Sequence, residues 1–291
     1  MYLETTVKSA VHQVKSERLP YSFDLNAYRG CEHRCRYCFA LYSHGYLGSG
    51  DFFSDIHIKM NIAERLEAFL RTRKKRDFVL NLGGVTDSYQ PAEAHYRLMP
   101  DIWKTLIRYR VPTVLSTKSD LLLRDFDLVC ELAAVTHVNI ASTITTLDPV
   151  LAEKLEPGAS PPARRLQMLE EFSRAGVHTG LHAMPVIPLL TDTEENLSSL
   201  FEAVNRCGID YIITDPLNLR GQTKEQFFAF LREQFPQQYL PLVRLYQNGH
   251  LSRTYRQQMR THIQALYRKY GVSASYRWQP PKSEMAQLSL F

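Results

Sequence analysis

Short β-rich runs alternate with amphipathic helical windows along most of the chain. In the helical windows, apolar residues recur every three to four positions, as in residues 63–73, where Leu66, Phe69 and Leu70 share one face. The other windows cover residues 98–109, 126–134, 163–175 and 194–207. The β-rich runs cover residues 22–26, 77–82, 112–116, 137–142, 178–184 and 211–214. Six β-then-α units predict a parallel sheet with crossover helices.

This order of elements predicts the α/β class, and more specifically a partial (β/α)6 TIM-like barrel rather than a flat doubly wound sheet. In such barrels the chemistry collects at the carboxyl ends of the strands. The cysteine-rich residues 30–40 directly follow the first predicted strand. We therefore expect a functional site in that loop.

After residue 222 the alternation of β-runs and helices ends. Three further helices are predicted over residues 226–235, 240–247 and 254–270, and we expect them to pack on the side of the barrel or to close its open edge. Pro280 and Pro281 end helical structure, which predicts a flexible tail. The expected division is an N-terminal extension, a core barrel, a C-terminal helical segment and a tail, over residues 1–20, 21–222, 223–276 and 277–291.

The composition is that of a globular protein with a sizeable core, because 44% of the 291 residues are hydrophobic. No stretch approaches the roughly 20 apolar residues that span a bilayer, so no membrane partner is expected. The N-terminus lacks the apolar region of a secretory signal, which favours a cytoplasmic location. The net charge of +5 and the isoelectric point of about 8.9 permit an acidic partner such as nucleic acid without requiring one.

Three of the five cysteines lie within the stretch GCEHRCRYCFA, at Cys31, Cys35 and Cys38. In a reducing cytosol, closely spaced cysteines bind metal more often than they form a disulfide. Thiolates select zinc, copper(I) or iron–sulfur clusters. A structural zinc site needs a fourth ligand, for which His33 and His44 are nearby candidates. Three thiolates alone suit a [4Fe–4S] cluster whose fourth iron is open to a substrate or cofactor.

The cysteine spacing, with Tyr37 before the third cysteine and six β/α units around it, resembles the radical S-adenosylmethionine (SAM) superfamily. Longer stretches are similar to its spore-photoproduct-lyase-related subfamily: NAYRGCEHRCRYCFALYSHGYLG, DIHIKMN, GGVTDSYQPAE, LSTKSDLLLRD, ASTITTLDPVLAEKLEPGASPPARRL and MPVIPLLTD. The resemblance covers roughly residues 20–220. It implies that the three cysteines ligate three irons of a [4Fe–4S] cluster and that SAM chelates the fourth. Reductive cleavage of SAM would then give a 5′-deoxyadenosyl radical that abstracts hydrogen from the substrate.

The resemblance also implies where SAM would bind. Tyr37 would line the adenine site. Gly83 and Gly84 end the second predicted strand and would let the backbone approach the SAM amino group. Asp87 would accept hydrogen bonds from that ammonium, although two residues separate it from the glycines, whereas the acidic residue of the family motif follows them directly.

Further residues that are candidates for contact with SAM lie at the ends of the later strands. Ser116 and Lys118 close the third strand and Ser142 closes the fourth, and hydroxyl and ammonium groups suit a ribose or a carboxylate. Met184 ends the fifth strand, where it would form an apolar wall for the adenine. More ordinary roles compete with these, because serine at a strand end also caps helices and methionine also fills cores.

The stretch EPGASPPARR carries Glu156 at its start and Arg165 at its end. Two interpretations are open. These side chains form a buried ion pair that holds the loop, or they contact SAM.

The chain departs from the subfamily at one position. In spore photoproduct lyase, a cysteine after the second strand returns hydrogen to the product radical, but the matching stretch GGVTDSY contains none. Tyr42, Tyr46 and Tyr89 are candidate substitutes as a hydrogen or radical relay. This departure argues against repair of the same lesion by the same route.

The last five residues, QLSLF, resemble the bacterial sliding-clamp-binding pentapeptide. The clamp-binding residues would be Gln287, Leu288, Leu290 and Phe291. An apolar terminus that packs back on its own domain is the alternative.

These features together predict a radical SAM enzyme that acts on DNA, in the repair or modification of a base. An electron donor such as flavodoxin or ferredoxin would reduce the cluster. One alternative is a radical SAM enzyme that acts on RNA, a peptide or a small molecule. Another is a non-catalytic iron–sulfur or zinc protein that is recruited to the sliding clamp.

Overall fold

The structure, a computed structural model, describes residues 1–16, 19–47, 50–73, 77–246 and 250–276, with the backbone alone at residues 46 and 47. The predicted tail lies outside the described residues, together with its four candidate clamp-binding side chains. Within the described ranges, no helix combines the length and the apolar character needed to cross a membrane.

Strands and helices alternate through the described part of the chain. The strands are β1 (Tyr2–Thr5), β2 (Val11–Gln13), β3 (Phe23–Leu25), β4 (Tyr28–Arg29), β5 (Ile56–Lys59), β6 (Leu80–Leu82), β7 (Thr113–Thr117), β8 (Val138–Thr143), β9 (His178–Val186) and β10 (Tyr211–Pro216). The α-helices are α1 (Ile62–Arg71), α2 (Ala92–Tyr96), α3 (Leu98–Tyr109), α4 (Phe126–Val135), α5 (Pro149–Leu155), α6 (Pro162–Arg174), α7 (Glu194–Arg206), α8 (Gly221–Gln234), α9 (Pro236–Leu245) and α10 (Arg253–Tyr270). Two 3-10 helices cover Phe39–Leu47 and Asp120–Asp125.

The central sheet has seven strands in the order β10-β9-β8-β7-β6-β3-β2. Six of them, β3 and β6 to β10, are parallel and follow one another in sequence, with at least one helix between each consecutive pair. Strand β2 pairs with the outer edge of β3 in the antiparallel direction. The predicted α/β class with a parallel sheet is therefore confirmed. The closure of this sheet into a partial TIM-like barrel stays a prediction.

The six predicted β-runs each overlap one strand of the parallel sheet, although four of them end one or two residues before the observed strand does. The helix predicted over residues 98–109 coincides with α3. A second sheet, of order β1-β5-β4, was not predicted. In this sheet Tyr2 pairs with Ile56. Pairing between residues so far apart in the chain leaves no local periodicity in the sequence from which it could be predicted. The short helices α2 and α5 were also missed, because five to seven residues give too little of a helical period.

The two faces of the parallel sheet differ in polarity. One row across β3, β6, β7 and β8 is apolar and consists of Leu25, Leu82, Leu115 and Ile140. The adjacent row faces the other way, because side chains alternate along a strand, and consists of Asp24, Asn81, Val114 and Asn139. The apolar row belongs to the main core. The opposite face carries buried polar groups that require hydrogen-bond partners inside the fold.

The C-terminal helices cover the outer edge of β10. The ring of Phe201 on α7 packs edge-on against Tyr267 on α10, with 4.9 Å between ring centroids. After α10, the Ser273 carbonyl oxygen accepts a hydrogen bond from the Ile212 amide at 3.1 Å. The segment thus closes the open edge of the sheet, one of the two placements expected from the sequence.

A buried charge network holds the segment after β6 in place. Arg124 donates to Glu93 at 2.5 Å and to Asp125 at 2.8 Å, and the Tyr28 hydroxyl donates to the same Glu93 carboxylate. The Tyr89 hydroxyl donates to Asp125 at 2.8 Å. Both carboxylates are buried, and Arg124 is the one cation among the described residues that forms a salt bridge with each of them.

We expect Arg124→Met to lower the free energy of unfolding by about 3 kcal/mol, because it leaves two buried carboxylates without their cation. Arg174→Met is the matched control, since Arg174 is exposed and pairs with Glu170 at one helical turn. Such surface pairs contribute about 0–1 kcal/mol. Urea unfolding followed by circular dichroism measures both, and equal losses in the two variants would contradict the network's role.

Candidate functional site

The three clustered cysteines lie on the loop between β4 and the first 3-10 helix. Cys31 and Cys35 are buried, Cys38 is partly buried, and all three are free thiols. The Cys31 amide donates to the Phe52 carbonyl oxygen at 3.0 Å, and the Cys38 amide donates to the Cys35 carbonyl oxygen at 3.2 Å. The thiols are therefore carried by a backbone that is fixed by hydrogen bonds.

Two distant parts of the chain hold the same loop. The Arg36 amide donates to the Leu155 carbonyl oxygen at 2.9 Å, at the end of α5. From α8, the Thr223 hydroxyl donates to the Cys38 carbonyl oxygen at 2.8 Å, and the Gln226 side-chain amide donates to the Arg36 carbonyl oxygen at 3.2 Å. The C-terminal helical segment thus contributes directly to the site.

The burial of the thiols indicates what they could bind. Desolvation raises the pKa of all three thiols above the ordinary value, so they stay neutral near pH 7 unless a cation stabilises the thiolate. Within the described ranges, no three His, Cys, Asp or Glu side chains are placed to hold one metal ion. A single zinc would need its ligands about 2.0–2.3 Å from one centre. The three thiolates of an iron–sulfur cluster bind different irons, so a cluster does not require that the three sulfurs share one centre.

The two histidines considered as zinc ligands have partners in the protein. His33 Nδ1 lies 2.9 Å from the Gly158 carbonyl oxygen, and its Nε2 lies 3.1 Å from Oδ2 of Asp87. His44 Nε2 lies 3.1 Å from the Asp55 carbonyl oxygen. Each ring therefore connects the segment that carries it to another segment of the chain.

The glycine turn after β6 is bound to the first strand. The Gly83 amide donates to the Leu25 carbonyl oxygen at 2.8 Å, and the Gly84 amide donates to Asp24 at 3.0 Å. A Cβ on Gly84 would overlap the Asp24 carboxylate, so only glycine permits this approach. The Asn81 side-chain amide also donates to Asp24, at 2.8 Å. The turn thus has a fixed position at the carboxyl end of the sheet.

The residues after the glycines connect this turn to the cysteine loop. The Thr86 hydroxyl donates to the Gly30 carbonyl oxygen at 2.5 Å, and the Gln90 side-chain amide donates to the same oxygen at 3.1 Å. In return, the Glu32 amide donates to Oε1 of Gln90 at 3.0 Å. The cysteine loop and the glycine turn therefore form one unit.

Asp87 lies at the centre of this unit and is buried. Its carboxylate accepts hydrogen bonds from the Thr117 hydroxyl at 2.7 Å, the Lys118 amide at 2.8 Å and the Tyr89 amide at 2.8 Å. Burial by itself would raise the pKa of Asp87, but the charge of His33 and the hydrogen bonds lower it to about 2. Both oxygens have partners inside the protein, so the structure gives Asp87 a positioning role. Its contact with the SAM ammonium stays a prediction.

A second buried network surrounds Tyr37. Its hydroxyl donates to Glu156, and Glu156 pairs with Arg165 at 2.7 Å. The Arg165 guanidinium also donates to the Thr143 carbonyl oxygen at 2.5 Å, so the buried ion pair is the interpretation that the structure supports. The Lys118 ammonium lies 5.7 Å from the centre of the Tyr37 ring. Burial opposes its charge, but Cys35 and Glu156 raise the pKa of Lys118.

The other candidate side chains at strand ends differ in whether they remain available to contact a cofactor. The Ser142 hydroxyl is fully buried and donates to the Thr117 carbonyl oxygen at 2.6 Å. Ser116 Oγ lies 3.2 Å from Nδ1 of His182. Met184 is partly buried and precedes a cis proline at the end of β9. Ser142 therefore supports the backbone, whereas Ser116 and Met184 stay candidates for cofactor contact.

The three candidate relay tyrosines lie in different surroundings. Tyr89 is fully buried, and its hydroxyl accepts a hydrogen bond from Nε1 of Trp103 at 2.6 Å in addition to its bond to Asp125. Tyr42 is about half exposed. The side chain of Tyr46 lies outside the described residues.

A chain of hydrogen-bonded polar side chains on the polar face of the sheet was not predicted from the sequence. His182 Nε2 lies 3.3 Å from the Tyr211 hydroxyl, which accepts a hydrogen bond from the Asn139 amide at 2.9 Å. Asn139 Oδ1 in turn lies 2.7 Å from Nδ1 of His178. Burial, with help from Lys118, lowers the pKa of His182 to about 4, so it is neutral near pH 7. The signal was the spacing of four residues between the two histidines of HTGLH, because an even spacing puts both side chains on one face of β9.

We expect Gly158→Ala to disturb the cysteine loop, because the added Cβ would overlap the backbone of Glu32 and His33. Overpacking against backbone costs about 1–3 kcal/mol, which thermal unfolding can measure. Gly45→Ala is the matched control, since nothing lies within 4 Å of its added Cβ. An unfolding temperature that is unchanged in both variants would contradict the tight contact.

Comparison with known proteins agrees with this geometry. A family model described as the Radical SAM superfamily matches residues 25–204. The chain is 35% identical over 288 residues to the uncharacterized protein Rv2578c of Mycobacterium tuberculosis, covering 97% of this chain and 85% of the relative. It is 25% identical to the uncharacterized protein MJ0683 of Methanocaldococcus jannaschii, covering 74% of this chain and 77% of the relative.

Solved structures show the same fold. A spore photoproduct lyase variant with bound AdoMet and dinucleoside spore photoproduct superposes with a TM-score of 0.67 at 13% identity, covering 92% of this chain and 79% of that chain. Streptococcus suis SuiB bound to S-adenosylmethionine gives a TM-score of 0.53 at 15% identity, covering 77% and 49% of the two chains. The family match spans all three clustered cysteines and more than half of the chain, and the chain therefore belongs to the radical SAM superfamily.

Proposed function

We propose that this radical SAM enzyme holds a [4Fe–4S] cluster on Cys31, Cys35 and Cys38 and acts on DNA. The observation that carries the proposal is the position of the three thiols. They are free, at least partly buried, and carried by one fixed loop at the carboxyl end of a parallel sheet. In β/α folds of this kind, that end of the sheet is where the chemistry takes place.

The cluster and SAM, when bound, supply one-electron radical chemistry. The residues of the chain bind and shield these groups. The three cysteines would provide the thiolates, and the iron charge would overcome the raised pKa of the buried thiols. Lys118 places a positive charge beside Tyr37 and Cys35, where it would stabilise the anionic thiolates or a carboxylate of SAM. The surrounding buried residues exclude water from the loop.

The remaining cysteines do not belong to this group. Cys130 lies in α4 and Cys207 directly follows α7, so neither lies at the carboxyl end of a strand. Burial raises the pKa of each thiol as well, which fits small residues packed against the core. A cluster on three cysteines leaves one iron open for SAM.

DNA is proposed as the target on two grounds. The fold is that of spore photoproduct lyase, which is solved with a dinucleoside spore photoproduct bound. The net charge of this chain is +5, which favours a polyanionic partner. A base lesion or a base to be modified would then lie above the carboxyl ends of the strands, within reach of the cluster loop.

Two partners complete the proposal. A one-electron donor such as flavodoxin or ferredoxin would reduce the cluster in a cytoplasmic setting. The last five residues of the tail, from Gln287 to Phe291, would bind a bacterial sliding clamp and bring the enzyme to replicated or repaired DNA.

The enzyme activity is tested by anaerobic reconstitution with iron and sulfide, followed by addition of SAM and dithionite. We expect 5′-deoxyadenosine to form, as measured by liquid chromatography. Cys35→Ala should lose the visible absorption of the cluster and most of the bound iron, and 5′-deoxyadenosine should fall to the level of a protein-free sample.

The controls are Cys130→Ser and Cys207→Ser, which should keep both the absorption and the product. Loss of the cluster in either control would show that the ligand set is wrong. A wild-type protein that forms no 5′-deoxyadenosine and carries one tightly bound zinc would overturn the enzymatic proposal.

Deletion of residues 287–291 should abolish binding to the bacterial sliding clamp, because the deletion removes the side chains that would fill its pockets. Surface plasmon resonance against immobilised clamp measures the affinity. The same variant should form 5′-deoxyadenosine at the wild-type rate. Equal affinity with and without these five residues would exclude the tail as the clamp-binding element.

A further inference from the structure

The positive charge of this chain is concentrated in its C-terminal helices. Residues 221–276 contain eight Lys and Arg and two Asp and Glu, a net charge of +6. Residues 1–220 contain 25 Lys and Arg and 27 Asp and Glu, a net charge of −2. The overall charge therefore reflects one segment, and a polyanion would be attracted to that segment.

Helix α10 carries the densest part of this charge. It contains five Lys and Arg and no Asp or Glu. Arg253, Arg256 and Arg260 are exposed and recur at spacings of three and four residues, so they form one row along the helix. Seven residues of helix extend about 10 Å, which matches about three phosphates of one strand at 3.4 Å per charge.

These arginines form no salt bridge with a carboxylate of the described residues, although Arg256 lies near enough to Asp215 for their charges to interact. By contrast, several surface arginines within residues 1–220 are paired: Arg108 with Glu67, Arg164 with Asp120 and Arg174 with Glu170, at 2.5–2.9 Å. Among the described residues, no carboxylate forms such a pair with the α10 row.

The row borders a groove between α10 and the carboxyl end of β10. One part is lined by Arg220, His250 and Arg256, and the adjoining part by Arg256 and Arg260. Asp215 lines both parts and is the only acidic residue among the described lining residues. The lining therefore keeps an excess of positive charge.

The walls of the groove are rigid and lie close to the proposed active site. The Tyr246 hydroxyl donates to the Leu217 carbonyl oxygen at 2.7 Å, and the Tyr267 hydroxyl donates to the Ile212 carbonyl oxygen at 2.7 Å. Helix α8 begins next to Arg220 and donates hydrogen bonds to the cysteine loop. The groove thus starts at the same end of the sheet as the cluster loop.

We propose that this groove, formed by Arg220, Arg256 and Arg260 with Arg253 at its edge, binds the phosphodiester backbone of DNA and guides the strand toward the cysteine loop. The inference rests on the proposed action on DNA and adds where the DNA lies. Arginine suits this task because its guanidinium makes two parallel hydrogen bonds to one phosphate.

The test is fluorescence anisotropy of a labelled 20-base-pair DNA with the full-length protein, between about 50 and 200 mM salt. The double variant Arg256→Gln/Arg260→Gln should bind roughly tenfold more weakly at the upper salt concentration. Its slope of log K against log salt should be less steep by about two, because two phosphate contacts are lost. Arg256→Lys/Arg260→Lys keeps the charge and should retain most of the salt dependence.

The matched control is Arg206→Gln/Arg268→Gln, which removes the same charge. Both residues are exposed, and they lie where α7 and α10 end, toward the amino end of β10. The control should bind DNA within about twofold of wild type, because phosphate contacts act locally. Circular dichroism of each variant shows whether the fold is intact.

The inference is overturned by equal weakening in groove and control variants, by no weakening in the groove variant, or by no binding of DNA by the wild type. Tighter binding of RNA than of DNA would reassign the groove to another polyanion and also overturns it. Formation of 5′-deoxyadenosine without DNA is measured in parallel on every variant. This product reports on the radical SAM activity alone, so its loss and the loss of DNA binding are distinguishable.

Discussion

The burial of three thiols on an irregular loop is the constraint on which this site depends. A loop without helix or strand cannot satisfy its own backbone groups, so other segments must supply partners. Its hydrogen-bond partners come from Phe52 before β5, from Leu155 at the end of α5, and from Thr223 and Gln226 on α8. Three regions that are far apart in sequence therefore converge on residues 30–38. The position of the thiols depends on the fold as a whole.

Buried carboxylates also connect the segments that form the site. Asp24 fixes the glycine turn, Asp87 joins that turn to the cysteine loop, and Glu156 joins the loop to α6 through Arg165. A buried carboxylate is costly unless its oxygens are paired. Each of these acids has hydrogen-bond donors or a cation, so each one fixes several segments at once. This arrangement gives rigidity near a reactive centre, where a small displacement strongly reduces the rate.

The C-terminal helices connect the catalytic end of the sheet with the charged surface. Helix α8 contacts the cysteine loop, and α10 carries the arginine row beside the end of β10. Residues 1–220 are nearly balanced in charge, and several of their arginines pair with carboxylates. Among the described residues, the arginine row of α10 forms no such salt bridge. This division separates the chemistry, which the superfamily shares, from recognition of the substrate, which the additional segment would supply.

The sequence by itself determined the elements of the parallel sheet and the position of the cysteine loop. Periodicity is a local property, and it located six strands and most helices, such as α3 at its observed bounds. The spacing of Cys31, Cys35 and Cys38 likewise needs no tertiary information. Only the tertiary structure decided which candidate side chains form hydrogen bonds within the protein. Asp87, Ser142 and Tyr89 bond to partners 30, 25 and 36 residues away, and sequence spacing cannot predict such partners. The second sheet and the arginine groove were also beyond prediction, because both arise where segments distant in the chain meet through packing.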